Sequence, residues 1–122
     1  MNNLANNDQD EETYTDSGEG TGWRIEINSL LNKLANQRGG TSESHRKVRD
    51  ESYKLLNEKT GAKLEVRLIN KRKKVLKETG SKSKAGRVSK LEVIAEDKRL
   101  KEVYIAVVRD MAKRYRILKS KN

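Results

Sequence analysis

Trp23, Ile27, Leu30, Leu31 and Leu34 stand at i, i+4, i+7, i+8 and i+11, with mostly polar residues between them. That spacing is one face of a 3.6-residue period and predicts a helix from Gly22 to Arg38. Gly39-Gly40 follows, and glycine accepts the left-handed geometry that ends helices. A narrower stripe of Val48, Ser52, Leu55 and Leu56, with Tyr53 at its edge, predicts a second helix from Ser42 to Thr60. Thr41, Ser42 or Ser44 can cap its start, and Gly61 ends it. A third helix is predicted from Ala62 to Thr79, with Gly80 as its stop. On a helical wheel Leu64, Leu68, Ile69, Val75 and Leu76 fall on one arc of this helix. Lys63, Arg67, Asn70, Lys71, Lys74 and Lys77 fall on the opposite arc.

The stretch SKSKAG, residues 81–86, reads either as a basic turn or as a frayed helical start. Val88, Leu91 and Ile94 then recur every three residues and suit a short fourth helix. Ser89 and Glu92 also have capping-box spacing, which places a helix start near Ser89. The clearest stripe is the last one: Leu100, Val103, Tyr104, Val107, Val108, Met111 and Tyr115, with Asp97 as its cap. Lys113, Arg114, Arg116, Lys119 and Lys121 follow at its end, where cations complement the macrodipole. No stretch alternates long enough to argue for a sheet. The expected fold is all-α, a small bundle of four to five helices with short connections, its first and last helices packed together. Trp23, Tyr53, Tyr104 and Tyr115 sit at core spacing. Arg72 falls inside an apolar arc, so a structural role is expected for it, snorkelling or pairing with an acid at the edge of the core.

Charge changes this picture more than length does. The 122 residues fit one domain, with 33% apolar residues and no Phe, Pro or Cys. No window approaches the roughly 18 apolar residues of a membrane span, and the N-terminus lacks the pattern of a signal peptide. A protein in the cytoplasm without membrane contact is expected. Residues 1–21 carry Asp8, Asp10, Glu11, Glu12, Asp16 and Glu19 and no Lys or Arg, a net −6. Residues 22–122 carry 28 basic and 12 acidic groups, a net +16. The first segment, without apolar period, reads as a disordered acidic tail. It either keeps the protein soluble or competes with a polyanion for the basic domain. The second segment reads as a basic helical domain that binds a polyanion.

Catalytic chemistry finds little support. His45 is the single histidine, and no Cys accompanies it. No Walker A loop, G-x-S-x-G, H-E-x-x-H or G-x-G-x-x-G is present. The acidic pairs Asp50-Glu51 and Glu96-Asp97 read as salt-bridge and capping groups. No enzyme activity, cofactor or metal is expected.

The basic residues are more informative. Lys63, Arg67, Lys74 and Lys77 share one face of the third helix, with Asn70 among them. Arg can bond guanine bidentately and Asn adenine. Lys71, Lys73, Lys82 and Lys84 flank that face and suit phosphates. The second and third helices, joined through Thr60-Gly61-Ala62, also have the short Gly-containing turn of a helix-turn-helix. The bland alternative is a solvated face. DNA is the expected partner, and RNA fits the same charge.

A resemblance bears on the same point. WR at 23–24, LLNKLA at 30–35, R-x-E-S-Y-x-L-L at 49–56, G-x-x-L-x-x-R-L-x-N at 61–70, GSKSK at 80–84, KLEVIAEDKRL at 90–100 and Y-x-x-x-V-R-x-M-A-x-x-Y at 104–115 occur in order. Together they resemble the C-terminal domain of phage-encoded regulatory proteins of the antirepressor type. The resemblance implies a phage or prophage regulator acting on DNA or on a repressor in the cytoplasm of a bacterial host. Such domains usually follow a separate DNA-associated module, whereas an acidic stretch precedes this one. If DNA reading resides in that module, the expected role narrows to a protein-interaction module that binds a phage repressor or self-associates. That alternative predicts an exposed apolar patch beside the basic face.

Overall fold

The computed structural model of the chain describes residues 22–117. The acidic segment 1–21 and the terminal Lys119 and Lys121 lie outside these described residues. Among the described residues the fold is all-α, with six helices rather than the four to five expected: α1 (Gly22–Gln37), α2 (Ser42–Thr60), α3 (Leu64–Thr79), α4 (Lys82–Arg87), α5 (Lys90–Ala95) and α6 (Lys98–Arg114).

α1, α2 and α6 pack on one another. Their stripes meet in a core that includes the fully buried Ile27, Leu31, Leu34, Val48, Leu56, Tyr104, Val107, Val108 and Met111. Burying one such side chain stabilises by about 1.5–3 kcal/mol, more than the roughly 0.7 kcal/mol that separates ordinary residues in helix propensity. Among the described residues Tyr104 is the buried aromatic. Trp23, Tyr53 and Tyr115 pack against the core from its rim. A bidentate pair from Arg109 to Glu26, at 2.8 and 2.7 Å, ties α6 to α1 on the surface. Arg38 bonds Glu51 at 3.0 Å and lies over the Tyr115 ring.

Caps set most boundaries. Thr41 accepts from the Ser44 amide, and Asp97 from the Leu100 amide. Ser89 and Glu92 form a full capping box, so α5 starts there. The fourth helical region is therefore two helices, not one. SKSKAG belongs to the first of them, and Val88, in extended geometry, breaks the chain between the two.

α3 differs from the helix-turn-helix expectation. α2 packs on α1 and α6, whereas α3 packs on α4 and α5. Leu64 and Leu68 bury themselves in the α5 side of the core. Farther along, Arg72 donates through Nε and Nη2 to the Val88 carbonyl at 3.1 and 2.9 Å. Its structural role is as expected, but its partner is a main-chain carbonyl and not an acid. That bond holds the α4–α5 junction against α3.

Candidate nucleic-acid interface

Arg72 apart, the basic residues of α3 and its N-cap divide into three groups once neighbours are counted. Two are neutralised within the fold. Arg67 Nη1 bonds Asp97 Oδ2 at 3.1 Å, and Lys71 Nζ bonds Glu96 Oε2 at 2.5 Å. The acids sit at the junction of α5 and α6, so these two pairs pin α3 to that corner. Asp97 is held below the usual carboxylate range, first by the Leu100 amide it caps and then by Arg67. Lys71 is held above its ordinary value, chiefly by its bond to Glu96. Asn70 lies beside them. Together with Val93 they line a shallow groove of about 340 Å³. Arg67 therefore reaches a base edge only by giving up Asp97.

Lys63 stands apart. It is the N-cap residue of α3, exposed, with no capping bond from its side chain. At about 1.5 Å per residue, it lies roughly 21 Å along the axis from Lys77.

The third group carries the charge outward. Lys73, Lys74 and Lys77 occupy the exposed second half of α3. Gly80, with φ 69°, turns the chain, its amide bonding the Leu76 carbonyl at 2.7 Å. A side chain at this left-handed position costs roughly 1–2 kcal/mol, which is why glycine is found there. Ser81 then caps α4, bringing Lys82, Lys84 and Arg87 back alongside α3. α4 packs on α3, so the six cations share one end of the molecule. Among the described residues none of the six takes part in an ion pair, although Glu78 is in their midst. The sequence reading missed Arg87. Its place in a basic turn was the available signal.

The apolar side of α3 is narrower than the wheel suggested. Ile69 and Leu76, expected in the buried arc, are 52% and 40% exposed, and Val66 is 50% exposed. Two six-residue helices are too short to cover a sixteen-residue partner. Of the apolar residues of α3 only Leu64 and Leu68 are buried, with Val75 partly so. Val66, Ile69, Lys73 and Leu76 stand at i, i+3, i+7 and i+10, so they line up along one outward stripe. The cations Lys74 and Lys77 border it.

His45 is half-buried near the start of α2. Asp50 and Glu51 pair with Arg46 and Arg38. Among the described residues no group of His, Asp and Glu is arranged to hold a metal ion, and no helix is long and apolar enough to cross a membrane. Comparison with family models, with curated proteins and with solved structures found no match for the chain.

Proposed function

We propose that this chain is a small regulatory protein, a binding module and not an enzyme, that grips a nucleic-acid backbone with the α3–α4 end. The observation that carries the reading is the cluster Lys73, Lys74, Lys77, Lys82, Lys84 and Arg87, exposed and unpaired among the described residues. Cations gathered on two packed helices without ion pairs cost self-repulsion, which a polyphosphate relieves. DNA is the favoured ligand, and Lys63 extends the charge along α3. Arg67 and Asn70 add sequence readout where Asp97 releases Arg67. The resemblance to antirepressor-type phage proteins supports a regulator in the cytoplasm of a bacterial host.

The test compares two substitutions on duplexes of different sequence. Lys73→Ala should weaken binding to all of them alike and flatten the salt dependence by about 0.9 in log–log slope. Arg67→Ala should reduce discrimination between sequences. Equal losses from both on every duplex would remove base readout from the proposal and leave backbone binding.

A second reading is favoured by one observation, the exposed stripe of Val66, Ile69 and Leu76. It makes α3 a docking face for a phage repressor. Ile69→Ser, which changes no charge beside Lys73, should abolish capture of such a partner while leaving DNA affinity within about twofold.

A further inference from the structure

We infer that the α3 stripe has an occupant within this same chain: the acidic segment 1–21. The stripe offers three exposed apolar side chains, Val66, Ile69 and Leu76, with Lys73 among them and Lys74 and Lys77 alongside. A ligand for such a face needs a few apolar groups set among carboxylates. A second copy of α3 is the wrong partner, since it brings Lys73, Lys74 and Lys77 against themselves. Residues 1–21 have the required chemistry. Tyr14 stands within DQDEETYTD, flanked by Asp10, Glu11, Glu12 and Asp16, with Leu4 and Asp8 ahead and Glu19 behind.

The placement of Gly22 favours the contact. Trp23 lies under Lys101 Nζ, 6.0 Å from the ring centre, in the first turn of α6. The cap of that helix, Asp97, is the residue Arg67 binds. The acidic segment thus joins the body on the side of the α6 N-terminus, the corner to which Arg67 ties α3. α3 is about 24 Å long at 1.5 Å per residue. Twenty-one residues span up to roughly 70 Å, so the segment reaches every position of the stripe. Tethering supplies an effective concentration on the order of millimolar, ahead of any free acidic partner at ordinary concentration. The consequence for nucleic acid rests on the proposed function: the carboxylates would then lie over Lys73, Lys74 and Lys77 and be displaced by phosphates.

The chain has no cysteine, so Ser17→Cys accepts a single nitroxide label. In the full chain at low salt, the label should broaden the amides of Val66, Ile69, Lys73 and Leu76. Broadening should fade near 0.5 M salt, and also when the six acids become amides (D8N, D10N, E11Q, E12Q, D16N, E19Q) or Tyr14 becomes Ala. Broadening confined to residues next to Gly22 would overturn the inference. So would broadening of an isotope-labelled chain by a spin-labelled second copy, which would make the occupant another molecule. The six-amide variant should also bind a labelled duplex about tenfold tighter than the native chain. Broadening without duplex binding by either form would leave the docking intact and remove the nucleic-acid reading. Duplex binding without broadening would do the reverse.

Discussion

Ser52→Ala tests the packing of the core through a single proton. Ser52 Oγ is buried and donates to the Arg49 carbonyl at 2.7 Å. Its only proton is used there, so in the 2.8 Å contact with Tyr104 the phenol must be the donor. Burial pushes the Tyr104 phenol well above its ordinary value, and the stacked Tyr53 adds to this, so it keeps that proton at any working pH. Removing Oγ leaves a buried O–H without its acceptor, which costs about 1–3 kcal/mol. Alanine returns roughly 0.5 kcal/mol through helix propensity. The net loss is about 1.5 kcal/mol, or about 6 °C in midpoint for a chain of this size. Tyr104→Phe removes the donor and leaves Ser52 bonded to Arg49, so it should cost less, about 1 kcal/mol. The double variant has neither group stranded and should be no worse than Ser52→Ala alone. Urea unfolding of the three variants gives the comparison. A larger loss for Tyr104→Phe than for Ser52→Ala, or full additivity in the double variant, would refute this direction of the bond.

Other outcomes follow from particular contacts. Glu96→Gln removes the carboxylate that occupies Lys71; binding to a duplex should tighten and its salt slope steepen by about 0.9, and an unchanged slope would count against an intramolecular lock on Lys71. Glu26 is held below the usual carboxylate range by its hydrogen bonds to Arg109. The stability it contributes is therefore present above its unfolded value and lost as pH falls through the lower folded one. The Arg109 and Glu26 side chains are 50% and 38% exposed, so the contribution should stay under about 1 kcal/mol, and urea midpoints of Glu26→Gln against native chain across the acid range should converge at the low end. Arg116 has φ 65° in a C-terminal turn where the Ile117 amide bonds the Ala112 carbonyl at 2.7 Å. Arg116→Gly should raise stability by about 0.5–1 kcal/mol, read as a higher urea midpoint; a lower midpoint would show that the arginine side chain contributes there.

Local pattern carried much of the fold. The stripes of α1, α2 and α6 are wide and regular, and Gly39-Gly40, Gly61 and Gly80 fall where helices end. The Ser89–Glu92 box was visible by spacing, and so was the cap at Asp97. What the pattern left out depends on which helix lies against which. A wheel places Ile69 and Leu76 beside Leu68, but exposure depends on the length of the partner, and α4 and α5 are short. The turn at Gly61 looks like that of a helix-turn-helix until α3 is seen packed on α4 and α5 while α2 packs on α1 and α6. The candidate site shows the same division. Its lysines were legible as a run of charge. The loss of Arg67 and Lys71 to Asp97 and Glu96 was not, because those acids lie some 25–30 residues away in sequence and Asp97 reads locally as a cap. The outer cluster stands clear because α4 folds back with cations of its own.

The most direct test of the account is the salt dependence of binding by the full chain. A fluorescent random duplex, titrated at about 50 and 200 mM salt, counts the phosphates engaged. Four to six contacts from the α3–α4 end give a slope of about −4 to −5, a loss of roughly 250- to 1000-fold over that range. That loss, abolished when Lys73, Lys74, Lys77, Lys82 and Lys84 are changed to Gln, is the predicted result. No binding at the lower salt by either the native chain or the six-amide variant, or a slope untouched by the five substitutions, would contradict the claim that this end holds a nucleic-acid backbone.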